Sequence, residues 1–296
     1  MLRVVLIGLG VLVAVVLAGL AIGAVRWRRG TAQLRAALDA SLQPPPVATY
    51  DPAELEGLPA PVQRYLRLAL TPGQAIVAAA DITCRGTFAM QESGPISWSP
   101  FTSTERAVMH RPGFDWDGRI RIVPGLDVHV HDAYVNGEGI LHAAIGGLIT
   151  LADLRGSRET ALGELYRFLA ESPWYPTRLL PSGGVRWTPV NDTAADATLS
   201  DGDLSVTIRF FFGEDGLVSR VRAEARGRTV QGRTVPTPWE GRWWSYAERD
   251  GMRIPLEGEV AWVVEEGVRP YWRGRVTGVR YQRVGVALAR GASGGG

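Results

Sequence analysis

The chain has 296 residues, of which 46% are hydrophobic, enough for one membrane segment and one sizeable globular domain. Its formal net charge of +2 is close to neutral, so charge gives no reason to expect a nucleic-acid partner. Every basic residue is an arginine, which excludes a Schiff-base or phosphate-loop lysine, and the single cysteine, Cys84, excludes an intrachain disulfide or a cysteine-based zinc cluster.

The N-terminal residues 4–25 contain no charged side chain. As a helix they would be about 33 Å long, and a bilayer hydrocarbon core is about 30 Å thick. A cleavable signal peptide is the alternative, but its apolar core is normally only about 7–15 residues long. We therefore predict a single-pass anchor in a bacterial cell membrane over residues 1–30. Within it, Gly19 and Gly23 could pack against a second helix, or their spacing could be incidental.

The side of the membrane on which the domain lies is open. Arg26, Arg28 and Arg29 follow the span, whereas Arg3 and the terminal amine precede it, and the positive-inside rule then favours a cytoplasmic domain. A short N-terminus and the carrier-like fold described below favour export. Our prediction is an extracytoplasmic domain.

The next segments set the domain boundaries. Residues 31–42 have the pattern of a helical stalk, and the prolines at 44–46 end it and act as a stiff linker up to residue 50. Asp51 is a helix N-cap followed by a proline, and a further helix is predicted over residues 61–70. We predict one β-rich globular domain over residues 51–285 and a flexible glycine-rich tail over residues 286–296.

Most of the globular domain alternates with a period of two. Residues 204–212 place Leu204, Val206 and Ile208 on one face, and a glycine-bounded turn then leads into residues 220–226. There alternation predicts Ala225 inside and Arg226 outside. Similar strands are predicted around residues 82–90, 97–109, 114–123, 126–135 and 239–264. The expected fold is α+β: an N-terminal transmembrane helix, then a curved, mostly antiparallel half-barrel of roughly eight to ten strands with a few packed helices.

One helix interrupts this pattern at residues 157–172, with Ser157 as its N-cap. Its leucines and Tyr166 form one face. Glu164, Arg167 and Glu171 form a stripe opposite, at spacings that allow ion pairs. The stripe fits either a solvated surface or the wall of a site.

At this helix the sequence resembles a known family. The motif GEL-x-R-F-LAE-x-x-W-x-P-x-x-LL, which begins at Gly163, resembles the hallmark of an uncharacterised bacterial membrane-anchored family of unknown function. The likeness extends from about Leu58 to Tyr281 and implies no activity. The strand pattern also resembles the half-barrels of LolA-like lipoprotein carriers, in which a sheet shelters acyl chains.

One set of residues suggests a metal. His129 and His131 alternate onto the same strand face, Asp127 adds a carboxylate, and His142 could join from the next strand. The alternative is a pair of half-exposed strand histidines, and we expect neither a metal nor another cofactor.

The ten tryptophans are expected mainly in the core, but Trp243 and Trp244 are adjacent and must face opposite sides of a strand. We predict that some of the aromatic residues line a concave sheet together with the charged stripe. The predicted ligand-binding residues are Trp116, Tyr134, Glu164, Arg167, Glu171, Trp174 and Trp244.

These observations favour a membrane-tethered binding module for a lipid or other apolar ligand. No catalytic motif is recognisable, so we expect a protein that is not an enzyme. Two alternatives remain: a protein-interaction scaffold that docks its partner on the charged stripe, and a metal-dependent hydrolase that uses the histidine pair.

Overall fold

The computed structural model describes residues 1–91, 94–230 and 233–283. Its longest helix, α1, runs from Leu2 to Ser41 without a break, so the predicted anchor and stalk form one helix. α1 is long and apolar enough to cross a membrane. The predicted tail lies outside the described residues.

In the part of the domain that the structure describes, there are two further α-helices and four short 3-10 turns. Helix α2 covers Ala60–Ala69 and α3 covers Arg158–Ala170. Asp51 and Ser157 cap their segments as predicted, since each side chain accepts a hydrogen bond from a backbone N–H. The 3-10 turns are Pro52–Leu55, Ser172–Trp174, Pro176–Leu179 and Pro181–Gly183.

Within the described residues, thirteen strands form a single antiparallel sheet, more than the eight to ten predicted. The first six are β1 Val77–Phe88, β2 Ser99–Val108, β3 Gly113–Val123, β4 Leu126–Val135, β5 Glu138–Ile145 and β6 Ile149–Arg155. The remaining seven are β7 Val185–Asn191, β8 Ala194–Asp201, β9 Leu204–Phe212, β10 Val218–Val230, β11 Arg233–Arg249, β12 Met252–Val264 and β13 Gly267–Arg283.

The sheet consists of two meanders joined by the pairing of β1 with β13. Its order is β6-β5-β4-β3-β2-β1-β13-β12-β11-β10-β9-β8-β7, with every pair antiparallel. Helix α3 enters between β6 and β7, the two edge strands. The chain therefore crosses from one edge of the sheet to the other through this helix.

The sheet curves strongly around α3. This helix contacts β3, β4 and β5 near one edge and also β9 and β10 near the other. In addition, the Tyr134 hydroxyl on β4 donates a hydrogen bond of 2.8 Å to Asp201 at the end of β8. A flat sheet would hold these strands far apart, so the half-barrel predicted from the sequence is present.

The main core lies on the inner, concave face. It combines apolar side chains of α2 and α3 with inward residues of nearly every strand, among them Tyr65, Leu66, Phe168 and Phe210. Alternation along β9 buries Leu204, Val206, Ile208, Phe210 and Phe212, as predicted. Burial of this apolar surface holds helices and sheet together.

The C-terminal part of α1 packs on the outer face of β2, β3 and β4. The Trp27 indole N–H donates to Asp117 at 2.9 Å, and Arg35 pairs with the fully buried Asp115 at 3.1 Å. Leu38 fills a small second core with outward residues of the sheet. The stalk is thus an integral layer of the domain.

Candidate functional site

Between α3 and the inner face of the sheet lies a hollow of two adjoining chambers. The inner chamber has a volume of about 100 Å³, and the outer chamber has a volume of about 340 Å³. They share the lining residues Phe88, Asp132, Leu141, Arg226 and Tyr271. Ligand pockets typically measure about 300–1,000 Å³, so the outer chamber alone reaches that range.

Aromatic side chains dominate the inner chamber. Five tryptophan and tyrosine residues from β11, β13 and β3 line it together with Trp174, which follows α3; these strand residues are Trp116, Trp239, Trp243, Tyr271 and Trp272. Trp174 packs edge-on against Trp243, with ring centroids 5.1 Å apart. Such walls bind apolar groups through large contact areas.

Glycines let these rings lie along the sheet. A methyl group added to Gly118 would lie 2.1 Å from the Trp116 ring, and one added to Gly274 would lie 2.2 Å from the Trp272 ring. In each case the glycine follows its tryptophan by two residues on the same strand face. Because these positions have no Cβ, the indole rings can lie along the strand backbone instead of extending into the hollow.

Arg167 of α3 is the centre of a buried ionic cluster on the chamber wall. Its guanidinium pairs with Asp132 of β4, with Glu171 at 2.8 Å and with Glu105 of β2 at 3.4 Å. It also lies over the ring of Trp116, 5.2 Å from the centroid. The side chain bridges the helix to two strands.

Three glutamates around Arg167 have raised pKa values. Burial and the neighbouring Glu171 raise the pKa of Glu105 well above its ordinary value, while Arg167 lowers it. Burial likewise raises the pKa of Glu171 and of Glu164, in the latter case with a contribution from Asp132. Burial opposes the charge on Arg167, but Glu171, Asp132 and Glu105 raise its pKa well above the ordinary value. The guanidinium therefore stays charged, and protonation of the carboxyls reduces the negative charge around it.

A second arginine enters the hollow through a bulge. Alternation predicts Arg226 outside, but the pairing of β10 with β11 shifts register between Ala223 and Arg226. The bulge turns Arg226 inward and exposes Ala225, so this prediction is wrong. Arg226 donates to the Gly163 carbonyl of α3 at 3.1 Å.

The structure brings together five of the seven predicted ligand-binding residues. Trp116, Arg167, Glu171 and Trp174 line the inner chamber, and Glu164 lines the outer one. The charged stripe is therefore a buried wall of the hollow and not a solvated surface. The scaffold hypothesis needs an exposed stripe on which a partner protein can dock, and the structure does not provide one there.

Two predicted residues lie elsewhere. Tyr134 is fully buried in the core, with its hydroxyl bound to Asp201. Trp244 is 42% exposed on the outer face of β11, where its indole N–H donates to Glu257. Because adjacent strand residues point to opposite faces, Trp243 is the member of the pair that faces inward.

Asp132 and Arg226, which line the hollow, and Glu105, which belongs to the ionic cluster, were not predicted from the sequence, although two of them had a signal. Asp132 shares a strand face with Tyr134, two residues away, and Glu105 shares one with Phe101 and Ser103. Both follow from alternation. Arg226 had no signal because its position depends on the bulge.

The histidines proposed as metal ligands lie under Trp27 of α1. His131 and His142 are cross-strand neighbours on the outer face, as predicted, but Trp27 of α1 stacks on both rings, at 4.1 Å and 5.2 Å between centroids. Burial lowers the pKa of His131 to about 4, and Thr31 Oγ1 lies 2.8 Å from its Nε2. In the part of the chain that the structure describes, no group of three or more His, Cys, Asp or Glu residues could hold a metal ion. The hydrolase hypothesis therefore loses its proposed ligands.

Residues 56–281 match a family of unknown function, DUF6920, and the chain belongs to that family. The resemblance stated from the sequence motifs is confirmed. No curated protein matches the chain.

Solved structures of similar fold include a LolA superfamily protein from Nitrosomonas europaea, at 9% identity and a TM-score of 0.39, covering 76% of this chain and 93% of that one. A domain described as outer membrane lipoprotein-sorting, from Vibrio parahaemolyticus, has 11% identity and a TM-score of 0.38, covering 71% and 88%. A DUF1329 family protein from Desulfovibrio piger has 11% identity and a TM-score of 0.35, with the same coverage.

Proposed function

We propose that this protein is a membrane-tethered module that holds a lipid or another amphiphile in the hollow between α3 and the sheet. Residues 1–30 hold the single-pass anchor, and residues 51–285, on which the stalk packs, form one extracytoplasmic binding domain. The observation that carries the proposal is the hollow itself, aromatic on one side and ionic on the other.

The inner chamber suits the apolar part of such a ligand. Indole rings and aliphatic residues such as Val260 form most of its wall. Each Å² of apolar surface removed from water contributes about 25 cal/mol. The cavity is small, so it takes part of an acyl chain or a compact apolar group.

The outer chamber suits the polar part. Glu164 and Arg226 line it, and Asp132 and Arg226 also reach the inner chamber. A ligand that spans the junction places its polar group beside charged side chains and its apolar group beside the indoles. In an apolar pocket, a small number of fixed polar groups determines the orientation of a small ligand.

The test is lipid analysis of the purified full-length protein. Native mass spectrometry and solvent extraction should recover an amphiphile from the wild type. Val260→Phe, which projects a larger side chain into the inner chamber, should recover much less. Val263→Phe is the matched control, since it makes the same change on the same strand at a residue whose side chain points to the opposite face of the sheet.

Two results would count against the proposal. One is wild-type protein that carries no amphiphile and whose melting temperature does not change across a panel of lipids. The other is equal lipid recovery from the two phenylalanine variants. The side of the membrane is tested separately, by a topology reporter fused after residue 296.

A further inference from the structure

Two hairpin tips of the sheet lie beside the apolar part of α1. The turn between β5 and β6 packs so closely on this helix that a methyl group added to Gly23 would lie 2.1 Å from the Gly146 carbonyl oxygen. One added to Gly19 would lie 3.8 Å from Leu148. The Gly19–Gly23 pattern therefore contacts this chain's own hairpin.

The β3–β4 turn reaches the same height along α1 as the β5–β6 turn. Helix α1 and β3 run antiparallel, with Thr31 bonded to Asp117 at 3.0 Å. From that contact, twelve helical residues cover about 18 Å down to Gly19, and six strand residues cover about 20 Å down to Val123. Leu126, just after the turn, lies against Gly146.

These tips expose apolar side chains. Ile149 and Leu151 of β6 are 64% and 55% exposed, and Ile122 and Val123 of β3 are 43% and 50% exposed. Since residues 4–25 are the apolar stretch of α1, Gly19 lies about 9 Å inside its C-terminal end. Clustered exposed apolar residues mark an interaction surface, and here they continue the apolar surface of the anchor.

We propose that the β3–β4 and β5–β6 tips insert into the same membrane leaflet as the end of the anchor. The inference rests on the proposed anchor, but it does not depend on a ligand in the hollow. Arg26 and Arg29, which border a groove between α1 and β5 together with Arg155, then lie at the level of the lipid head groups. The domain, which packs on the stalk, is thereby held to the bilayer both by the anchor and by the two tips.

Insertion also fixes where the hollow faces. Met90, which lines the outer chamber, follows β1 at the same end of the sheet, because Phe88 pairs with Ser99 and Phe101 pairs with Ile120. The outer chamber therefore reaches the end of the sheet that lies on the bilayer, so a lipid has a short path between leaflet and hollow.

The experiment uses nitroxide labels on the full chain in lipid nanodiscs. Cys84 is the only cysteine, so single-cysteine variants can be made in a Cys84→Ala background. Labels at Ile149→Cys and Val123→Cys report the tips, and Met90→Cys reports the chamber. Val13→Cys is the control for the anchor, and Val190→Cys, on β7 and 38% exposed, is the aqueous control. Relaxation by oxygen and by a water-soluble nickel chelate gives the depth of each label.

We expect both tip labels to be protected from nickel and accessible to oxygen, as at Val13, and the Met90 label to lie at head-group depth. If the two tip labels are as accessible to nickel as the Val190 label while the Val13 label lies in lipid, the inference is overturned. The anchor and the ligand proposal would then still stand. A tip protected only because two copies pair, seen as spin broadening that disappears on dilution with unlabelled protein, would also overturn it. A Val13 label in water would refute the anchor itself.

Discussion

Arg167 is the cation whose removal should most disturb the hollow. The variant Arg167→Met keeps an unbranched side chain of similar length and removes the charge. Glu105, Asp132 and Glu171 then lose their shared partner while they stay largely buried. Breaking a buried ion pair by removing one member costs about 3–5 kcal/mol. A domain of this size loses about 2–4 °C of melting temperature per kcal/mol, so the expected fall is roughly 6–20 °C.

The cost should grow with pH. Burial raises the pKa of Glu105 and Glu171 above the ordinary value of 4.5, whereas Arg167 lowers it. A carboxyl whose pKa is raised on folding contributes stability that is present below its unfolded pKa and is lost as the pH rises through its folded pKa. Without Arg167 the folded pKa values rise further, so the variant loses more stability above pH 4.5. The difference in melting temperature between wild type and variant should be larger at pH 8 than at pH 5.

The assay is thermal unfolding of the full-length protein in detergent, followed by tryptophan fluorescence. Arg158→Met is the matched control, because Arg158 lies on the same helix and pairs with Asp203 on the surface, with 53% of its side chain exposed. An exposed pair is worth about 0–1 kcal/mol, so this variant should melt within a few degrees of the wild type. Equal shifts for the two variants, or a cost for Arg167→Met that decreases with rising pH, would refute the buried cluster as described.

Three further predictions concern the tryptophans and His131. Trp243→Ala should lower the free energy of unfolding by about 3–5 kcal/mol, whereas Trp244→Ala should change it by less than about 1 kcal/mol; denaturant titration measures both, and equal losses would contradict the assigned facing. Gly274→Ala should lower the free energy of unfolding by about 1–3 kcal/mol and reduce lipid recovery, because the new methyl group displaces the Trp272 ring into the chamber. Unchanged lipid recovery would argue against an indole ring that lies along the backbone at Gly274. The pKa of His131 is lowered to about 4, so stability is lost as pH falls below its ordinary 6.5, by about 2 kcal/mol at pH 5; His131→Gln should lessen the drop in melting temperature between pH 7 and pH 5.

Much of the sheet is predictable because its signals are local. Strand β4 begins and ends at the predicted residues, and β9 buries the predicted face, since alternation is a property of neighbouring side chains. The N-cap of α3 is local as well. The count of strands was too low because β5, β6, β7, β8 and β13 were not among the predicted strands. β6, for example, is exposed along most of its length and shows no alternation of buried and exposed residues.

The site is harder to predict because it depends on contacts between distant segments. Helical periodicity places Arg167 opposite the leucine face of α3 and therefore suggests solvent, but the sheet encloses the helix and buries both faces. The histidine motif fails for a similar reason. Its spacing is compatible with a metal, yet Trp27, about a hundred residues earlier in the chain, lies on the face that the ligands would need.

The ionic cluster is the strongest reason to look for function at the hollow. Replacing a buried ion pair by apolar side chains of similar volume is often neutral or stabilising, so the cluster is not explained by stability. An all-apolar α3 would also pack closely against the indoles and leave less space beside them. The fold instead combines tryptophans that lie along the sheet, and so leave space, with Arg167, Arg226 and Glu171 on the lining of the same chamber, and burial raises the pKa of the Glu171 carboxyl. Departures from ordinary packing that coincide at one place are typical of binding sites, and here they coincide at the junction of the two chambers.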